Sequence, residues 1–306
     1  MRATYAEEPC RSALTRVRGM PFAWSLNPYT GCVHQCTFCY VRGFELRAGR
    51  PPDDRYGARV RVKTNLVEVL RHELARRSWR GEEVAVGTAT DPYQPAEGRY
   101  RLTRGSLEAL AERANPFSII TRGPLVVRDL DVLVAAAARA AVTVNVSIPT
   151  LDPKVWRTTE PGTAPPRQRL RALGRLAAAG LRVGVGMAPI LPGLSDDPAA
   201  LREVVRAARE AGATHLWWNV LNLRPGTREH FLEHLARDWP EEVERYRRLF
   251  AGRAYLTGRQ TAGLNATLGE LRSRWVWEPR RSGAPFGAAA PSRVEQLELP
   301  LEAQIG

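Results

Sequence analysis

The chain has 306 residues with 44% hydrophobic residues, enough for one large domain with a core, and a formal net charge of +13. No run of about 18 apolar residues marks a membrane span, and the N-terminus lacks the apolar core of a secretory signal, so the sequence predicts a cytoplasmic protein with no membrane partner. The positive balance favours an acidic partner such as DNA, although nearly all of it is arginine in an Ala- and Gly-rich chain, as genome composition alone would give.

In chain order, residues 1–25 form a polar, arginine-rich lead-in without clear periodicity, containing Cys10. A lone cysteine is most simply inert, its sharper reading being a redox thiol or hydrogen donor. A first strand near Leu26–Tyr29 leads into Asn27-Pro-Tyr-Thr-Gly-Cys-Val-His-Gln-Cys-Thr-Phe-Cys-Tyr40. There Cys32, Cys36 and Cys39 stand at C-x3-C-x2-C spacing. Three thiolates on one tight loop suit three corners of a [4Fe-4S] cluster, which leaves one iron open. The rival is zinc, with His34 or Cys10 as fourth ligand.

Beyond the loop, helical stripes alternate with β-branched runs. Leu66, Leu70 and Leu74 precede a strand at 83–87; Leu107, Leu110, Ala111 and Ala114 precede 117–121. Helices at 127–138, 167–179 and 199–211 lead to strands at 142–147, 181–186 and 215–220, with Gly180 and Gly212 as helix stops. Such alternation implies parallel strands with helical crossovers, and six units predict a partial (β/α)6 TIM-type barrel spanning 26–225. Chemistry in such folds sits at the strand C-termini.

At those ends, Gly87 permits close backbone approach, while Thr88, Thr90 and Asp91 offer acceptors for an ammonium or hydroxyl group. Asp91 as a turn former is the plainer alternative. Strand five exits through Met187-Ala-Pro-Ile, with Pro189 and Pro192 making it irregular and Ser195 or Asp196 capping the next helix. Asn219, Asn222 and Arg224 at the sixth end are candidate substrate contacts, since an asparagine on an apolar strand needs a partner. Residues 226–277 read as a helical, charged C-terminal extension, its last helix anchored by Trp275 and Trp277. Residues 278–306 read as a flexible tail rich in Pro, Gly, Ala, Ser and Arg.

The cysteine loop, with Phe38 before its last cysteine and Tyr40 after it, resembles the signature of the radical S-adenosylmethionine superfamily. Together with Asn27-Pro-Tyr-Thr-Gly-Cys and Thr90-Asp-Pro-Tyr-Gln-Pro, it is similar to the spore photoproduct lyase-like (DNA repair photolyase-like) branch, nearest an actinobacterial subgroup. The resemblance covers about residues 20 to 230. It implies a [4Fe-4S] cluster on Cys32, Cys36 and Cys39, whose open iron chelates S-adenosylmethionine. One-electron cleavage of the sulfonium would then start hydrogen abstraction, with flavodoxin or ferredoxin as the reductant.

By position, the resemblance puts Gly87, Thr88, Thr90 and Asp91 at the methionyl ammonium and Ser147 at the ribose. Glu160 or Arg167 would meet the carboxylate or ribose, Met187 the adenine, and Phe38 would shield the cluster. It also implies a nucleic-acid substrate, with a protein or small-metabolite substrate as the alternative. This chain departs from the family pattern in having no cysteine after Cys39. Tyr93, Tyr100 or Cys10 would then be the hydrogen donor, or the native reaction differs from photoproduct repair. Finally, Gln296-Leu-Glu-Leu-Pro-Leu301 resembles the peptide that docks on the DNA sliding clamp through Gln296, Leu297, Leu299 and Leu301.

Overall fold

The structure is a computed structural model that describes residues 3–274. The clamp-like segment, Trp275 and Trp277 lie outside the described residues. The N-terminal segment holds β1 (Thr4–Glu8) and β2 (Leu14–Arg16), followed by β3 (Trp24–Leu26) and β4 (Tyr29–Thr30). After the cysteine loop come α1 (Arg42–Arg47), β5 (Arg59–Lys63), α2 (Leu66–Ala75) and β6 (Val84–Val86). Next are α3 (Ala96–Tyr100), α4 (Leu102–Glu112), β7 (Phe117–Thr121), α5 (Leu130–Ala137) and β8 (Val142–Ser147). Then follow α6 (Pro153–Thr159), α7 (Pro166–Ala178), β9 (Arg182–Ile190), α8 (Pro198–Glu210) and β10 (His215–Val220). The described chain ends with α9 (Thr227–Asp238), α10 (Val243–Leu249) and α11 (Gly258–Ser273).

Six strands, β3, β6, β7, β8, β9 and β10, pair in parallel and in sequence order, the arrangement of a partial barrel. β2 adds an antiparallel edge beside β3, so among the described residues β2 and β10 are the two edge strands of an open sheet. The lead-in is thus part of the fold, and a separate small sheet joins β1, β5 and β4. Its register is carried by Val60 and Val62, which are fully buried between charged neighbours in Arg-Val-Arg-Val-Lys.

Side chains alternate between the two faces of a strand, and the faces here differ in chemistry. Val84, Val86, Phe117, Ile119, Val144, Val146, Val183 and Val185 pack with Leu70, Leu107, Leu133, Leu173 and Leu201 of the helices in one core. The opposite, concave face carries Ser25, Ala85, Ser118, Asn145, Ser147 and the two glycines Gly184 and Gly186. A Cβ at Gly184 would collide with the ring of His215, and one at Gly186 with the ring of Trp217, so both rings lie flat across β9. Asn145 Oδ1 accepts hydrogen bonds from His215 Nε2 at 2.9 Å and Trp217 Nε1 at 3.0 Å. The result is a polar lumen inside an apolar shell.

β9 runs on to Ile190, past the predicted end at 186, and Leu191 follows it into the core. Asp197, rather than Ser195 or Asp196, caps α8, accepting the amides of Ala199 and Ala200 at 2.9 Å each. Ser195 Oγ instead accepts the Leu191 amide, and Asp196 accepts that of Gly193. Among the described residues, no helix is long and apolar enough to cross a membrane.

Candidate functional site

All six parallel strands end at the same rim, and the cysteine loop leaves β3 there. The segment after β6 grips that loop. Gly87, at φ +89°, makes a turn that no side chain could share, because a Cβ would strike Pro92 and the Ile120 carbonyl. Thr90 Oγ1 donates to the Gly31 carbonyl at 2.8 Å, and Gln94 Nε2 donates to the same oxygen at 3.1 Å. Gln94 Oε1 accepts the Val33 amide, Asn27 Oδ1 accepts the Ala89 amide, and Tyr40 donates its hydroxyl to the Thr88 carbonyl.

Asp91 is the hub of this frame. Its carboxylate accepts the Tyr93 amide at 2.9 Å, the Thr121 hydroxyl at 2.7 Å and the Arg122 amide at 2.6 Å, and stands 3.4 Å from His34 Nδ1. Burial opposes its charge, yet His34 and these donors hold its pKa down at about 2. Burial likewise opposes charge on His34, but Cys32 and Asp91 raise it to about 10. Thr90 and Asp91 therefore position the loop with their side chains. Of the predicted ammonium site, the main chain of Gly87–Ala89 and Thr88 Oγ1, which contacts Ser25 Oγ at 2.5 Å, remain at the rim.

A second clamp comes from the segment after α6. The Thr37 amide donates to the Thr159 carbonyl at 2.9 Å, and the Gly162 amide donates to the His34 carbonyl at 3.0 Å. Beside it lies a buried charge relay. Arg122 Nε donates to Glu160 Oε1 at 2.5 Å and its Nη2 donates to the Ala188 carbonyl at 2.8 Å, while its guanidinium lies 5.6 Å from the Phe38 ring centre. Arg169 Nη1 forms an ion pair with Glu160 Oε2 at 2.9 Å and donates to the Ser147 carbonyl at 3.0 Å. Burial opposes ionisation of Glu160, but Arg169 and Arg122 keep it charged.

The sequence singled out Arg167, but the structure exposes Arg167 and buries Arg169 completely. Both stand in the first turn of α7, and only the helix phase decides which points inward. Gln94, Arg169 and Arg42 are organising residues that residue type alone did not mark, and Arg122 lies at a strand end where a turn and a ligand contact were equally open. Arg42, fully buried, donates to the carbonyls of Pro52 and Asp53 at 2.6 Å each and to that of Cys36 at 3.4 Å.

Other expected residues scatter. Ser147 is buried on the lumen face, and Phe38 is buried beside Cys36. Met187 lies in the helix-side core, because the strand's period of two turns it away from the lumen. Tyr93 packs in that same core beside Asp129, Tyr100 donates to Glu7 at 2.9 Å near Tyr5, and Cys10 is tied by its main chain to Asn65. None of these three is placed at the cysteine loop. Asn219 and Asn222 are half-buried at the β10 end, and Arg224 donates to the Tyr255 hydroxyl at 2.8 Å.

The three cysteines are free thiols, with Cys32 and Cys36 buried and Cys39 half-buried. Burial pushes Cys36 and Cys39 up, whereas Cys32, despite burial, is brought down by His34. A single zinc ion at ~2.3 Å from each sulfur would draw the sulfurs to within ~4 Å of one another. Among the described residues, no group of three potential ligands that includes these cysteines gathers within 4.8 Å. The wider thiolate triangle, walled by Phe38 and neighboured by Arg122 and Arg42, fits an iron-sulfur cluster, whose size separates its ligands and whose negative charge these cations offset.

An open parallel barrel with a three-cysteine loop at its strand C-termini defines a radical enzyme built around a thiolate-held cluster. The sequence profile of the Radical SAM superfamily matches residues 26–205, and the chain belongs to that family. Its members use a [4Fe-4S] cluster with S-adenosylmethionine. The chain is 43% identical over 305 residues to the uncharacterized protein Rv2578c of Mycobacterium tuberculosis, covering 99% of this chain and 88% of that one. It is 26% identical over 230 residues to the uncharacterized protein MJ0683 of Methanocaldococcus jannaschii, covering 75% of this chain and 81% of that one. In fold it is similar to spore photoproduct lyase complexed with dinucleoside spore photoproduct, with a TM-score of 0.68 and 15% identity over 90% of this chain and 80% of that one.

Proposed function

We propose that this radical enzyme starts hydrogen abstraction on a nucleic-acid or nucleotide substrate held in the lumen, with Cys32, Cys36 and Cys39 holding the cluster. The observation that carries the reading is the polar lumen under the cysteine loop, with Asn145, Ser147 and Trp217 on its wall and Asn219 and Asn222 at its mouth. The amides of Asn219 and Asn222 suit the donor and acceptor edges of bases, and an indole offers a stacking face. The +13 charge supports a phosphate-bearing partner. The likeness to a lyase solved with a dinucleoside photoproduct supports the fold's capacity for such a ligand.

Bound together, cluster and S-adenosylmethionine supply the one-electron cleavage of the sulfonium that starts the reaction. The chain's own residues hold and orient. The main chain at Gly87 and Ala89 would present carbonyls to the ammonium, and Ser147 Oγ would meet the ribose. Arg122, fixed by Glu160, offers positive charge beside Cys36, and the main chain at Ala188–Ile190 would be available to the adenine. Phe38 and Leu191 keep water from the cluster side. A small ferredoxin or flavodoxin would deliver the electron.

The test is anaerobic incubation of the cluster-loaded enzyme with S-adenosylmethionine, dithionite and deuterium-labelled, ultraviolet-irradiated DNA. The expected result is DNA-stimulated 5'-deoxyadenosine carrying deuterium, with DNA binding that weakens steeply as salt rises. Unlabelled 5'-deoxyadenosine formed at the same rate with and without DNA would sink the nucleic-acid reading.

A further inference from the structure

On the far side of the cysteine loop, three potential metal ligands converge that the radical chemistry does not use. His230 and His234 stand four residues apart on one face of α9, and Asp54 lies on the loop between α1 and β5. Their ligand atoms all fall within 4.8 Å of one another. His234 Nε2 is 3.3 Å and His230 Nδ1 is 3.9 Å from the same Asp54 Oδ1.

The hydrogen bonding fixes what faces what. His234 Nδ1 is 2.9 Å from the His230 carbonyl, which can only accept, so Nδ1 carries a proton and, in the neutral ring, Nε2 presents its lone pair to Asp54. This is the usual outer partner of a metal-bound imidazole. His230 is 4% exposed, and its buried Nδ1 has no hydrogen-bond partner although it is aimed at the same oxygen. A lone pair facing a carboxylate across a gap, with a second buried nitrogen unsatisfied beside it, calls for a cation between them. Two ligands at ~2.0 Å from a tetrahedral zinc ion stand ~3.3 Å apart, which the His234–Asp54 spacing matches. Both distances to Asp54 exceed the ~3 Å edges of an octahedral face, so zinc fits better than a facial iron triad.

We propose that Asp54, His230 and His234 bind a zinc ion, with water as its fourth ligand, that staples α9 to the loop behind the cysteines. The staple brackets Cys39 from two sides. Thr227, in the first turn of α9, donates its hydroxyl to the Cys39 carbonyl at 3.1 Å, and Tyr56, two residues after Asp54, has its hydroxyl 3.9 Å from Cys39 Sγ. Arg42 holds the same loop through the carbonyls of Pro52 and Asp53, and its positive charge reaches His230, so the Asp54 carboxylate is what offsets it at the metal site.

The test uses the cluster-loaded, full-length protein supplied with zinc, desalted, and analysed for metals, with zinc-edge X-ray absorption to identify the ligands. The expected result is one zinc per chain in addition to the iron, in a shell of nitrogen and oxygen only, at ~2.0–2.1 Å. His234→Ala and, independently, the exposed Asp54→Asn should lower zinc content at least tenfold while leaving the cluster absorbance in place. A zinc shell containing sulfur at ~2.3 Å would mean occupation of the cysteine site and overturn the proposal. So would zinc content unchanged in both variants, or no zinc retained by the unaltered protein, in which case a proton on His234 fills the gap.

Discussion

Two ends of parallel strands on the same rim have opposite characters. After β6, Thr90 and Gln94 spend their side chains on the cysteine loop, and Asp91 ties His34 of that loop to Thr121 and Arg122 at the end of β7. After β10, Asn219 and Asn222 are half-buried at the lumen mouth. Polar residues at a strand end therefore divide into a frame around the cysteine loop and, on the function proposed above, groups left to meet a substrate, and hydrogen bonding, not residue type, separates them.

The comparison breaks first at its hub. Asp91→Ala strands the Thr121 hydroxyl and the Arg122 amide and leaves His34 without its anion. It should cost about 4 kcal/mol by thermal or denaturant unfolding and lower iron content; full iron loading with an unchanged melt would refute the frame. Next comes the charge relay. Arg169→Met should cost about 3 kcal/mol because Glu160 loses one of its two cations, whereas Arg167→Met should change stability by less than about 0.5 kcal/mol. Gly87→Ala should lose about 2 kcal/mol through its φ of +89° and the collision with Pro92.

Acid sharpens the lumen side. Burial first, then Arg182, depresses His215 from 6.5 to about 4, so the native state prefers the neutral ring. Its contribution is complete above pH 6.5 and is lost as pH falls from 6.5 towards 4, at up to about 1.4 kcal/mol per pH unit. A His215→Gln variant should flatten that limb of the stability profile. The smallest effect on stability belongs to the half-buried asparagines after β10. Asn219→Ala should shift unfolding by less than about 0.5 kcal/mol yet raise KM roughly tenfold at unchanged kcat. A fall in melting temperature comparable with that of Asp91→Ala would erase the distinction between the two strand ends.

Much of the barrel was legible. The stripe Leu66, Leu70, Leu74 and the run Val142–Ser147 announce their periods locally, because one face of each is buried in the same core. The small sheet was not, since β1 and β5 pair across more than fifty residues of chain and nothing in Thr4–Glu8 signals its partner. Within the site, the cysteine spacing was local and readable. Gln94 was marked only as part of the segment Thr90-Asp-Pro-Tyr-Gln-Pro, not by a role, because its value lies in reaching Gly31 and Val33, which only the tertiary path brings near.

By itself the sequence determined the parallel alternation, the three-thiolate loop and the glycine turn after β6, all properties of residues a few positions apart. Only the tertiary structure decided that Arg169 rather than Arg167 enters the site, that Met187 faces the helices, that Thr90 and Asp91 serve the loop, and that Asp54 meets two histidines of α9. Those outcomes depend on helix phase, strand face and long-range approach, which are set by packing the whole chain rather than by any window of it.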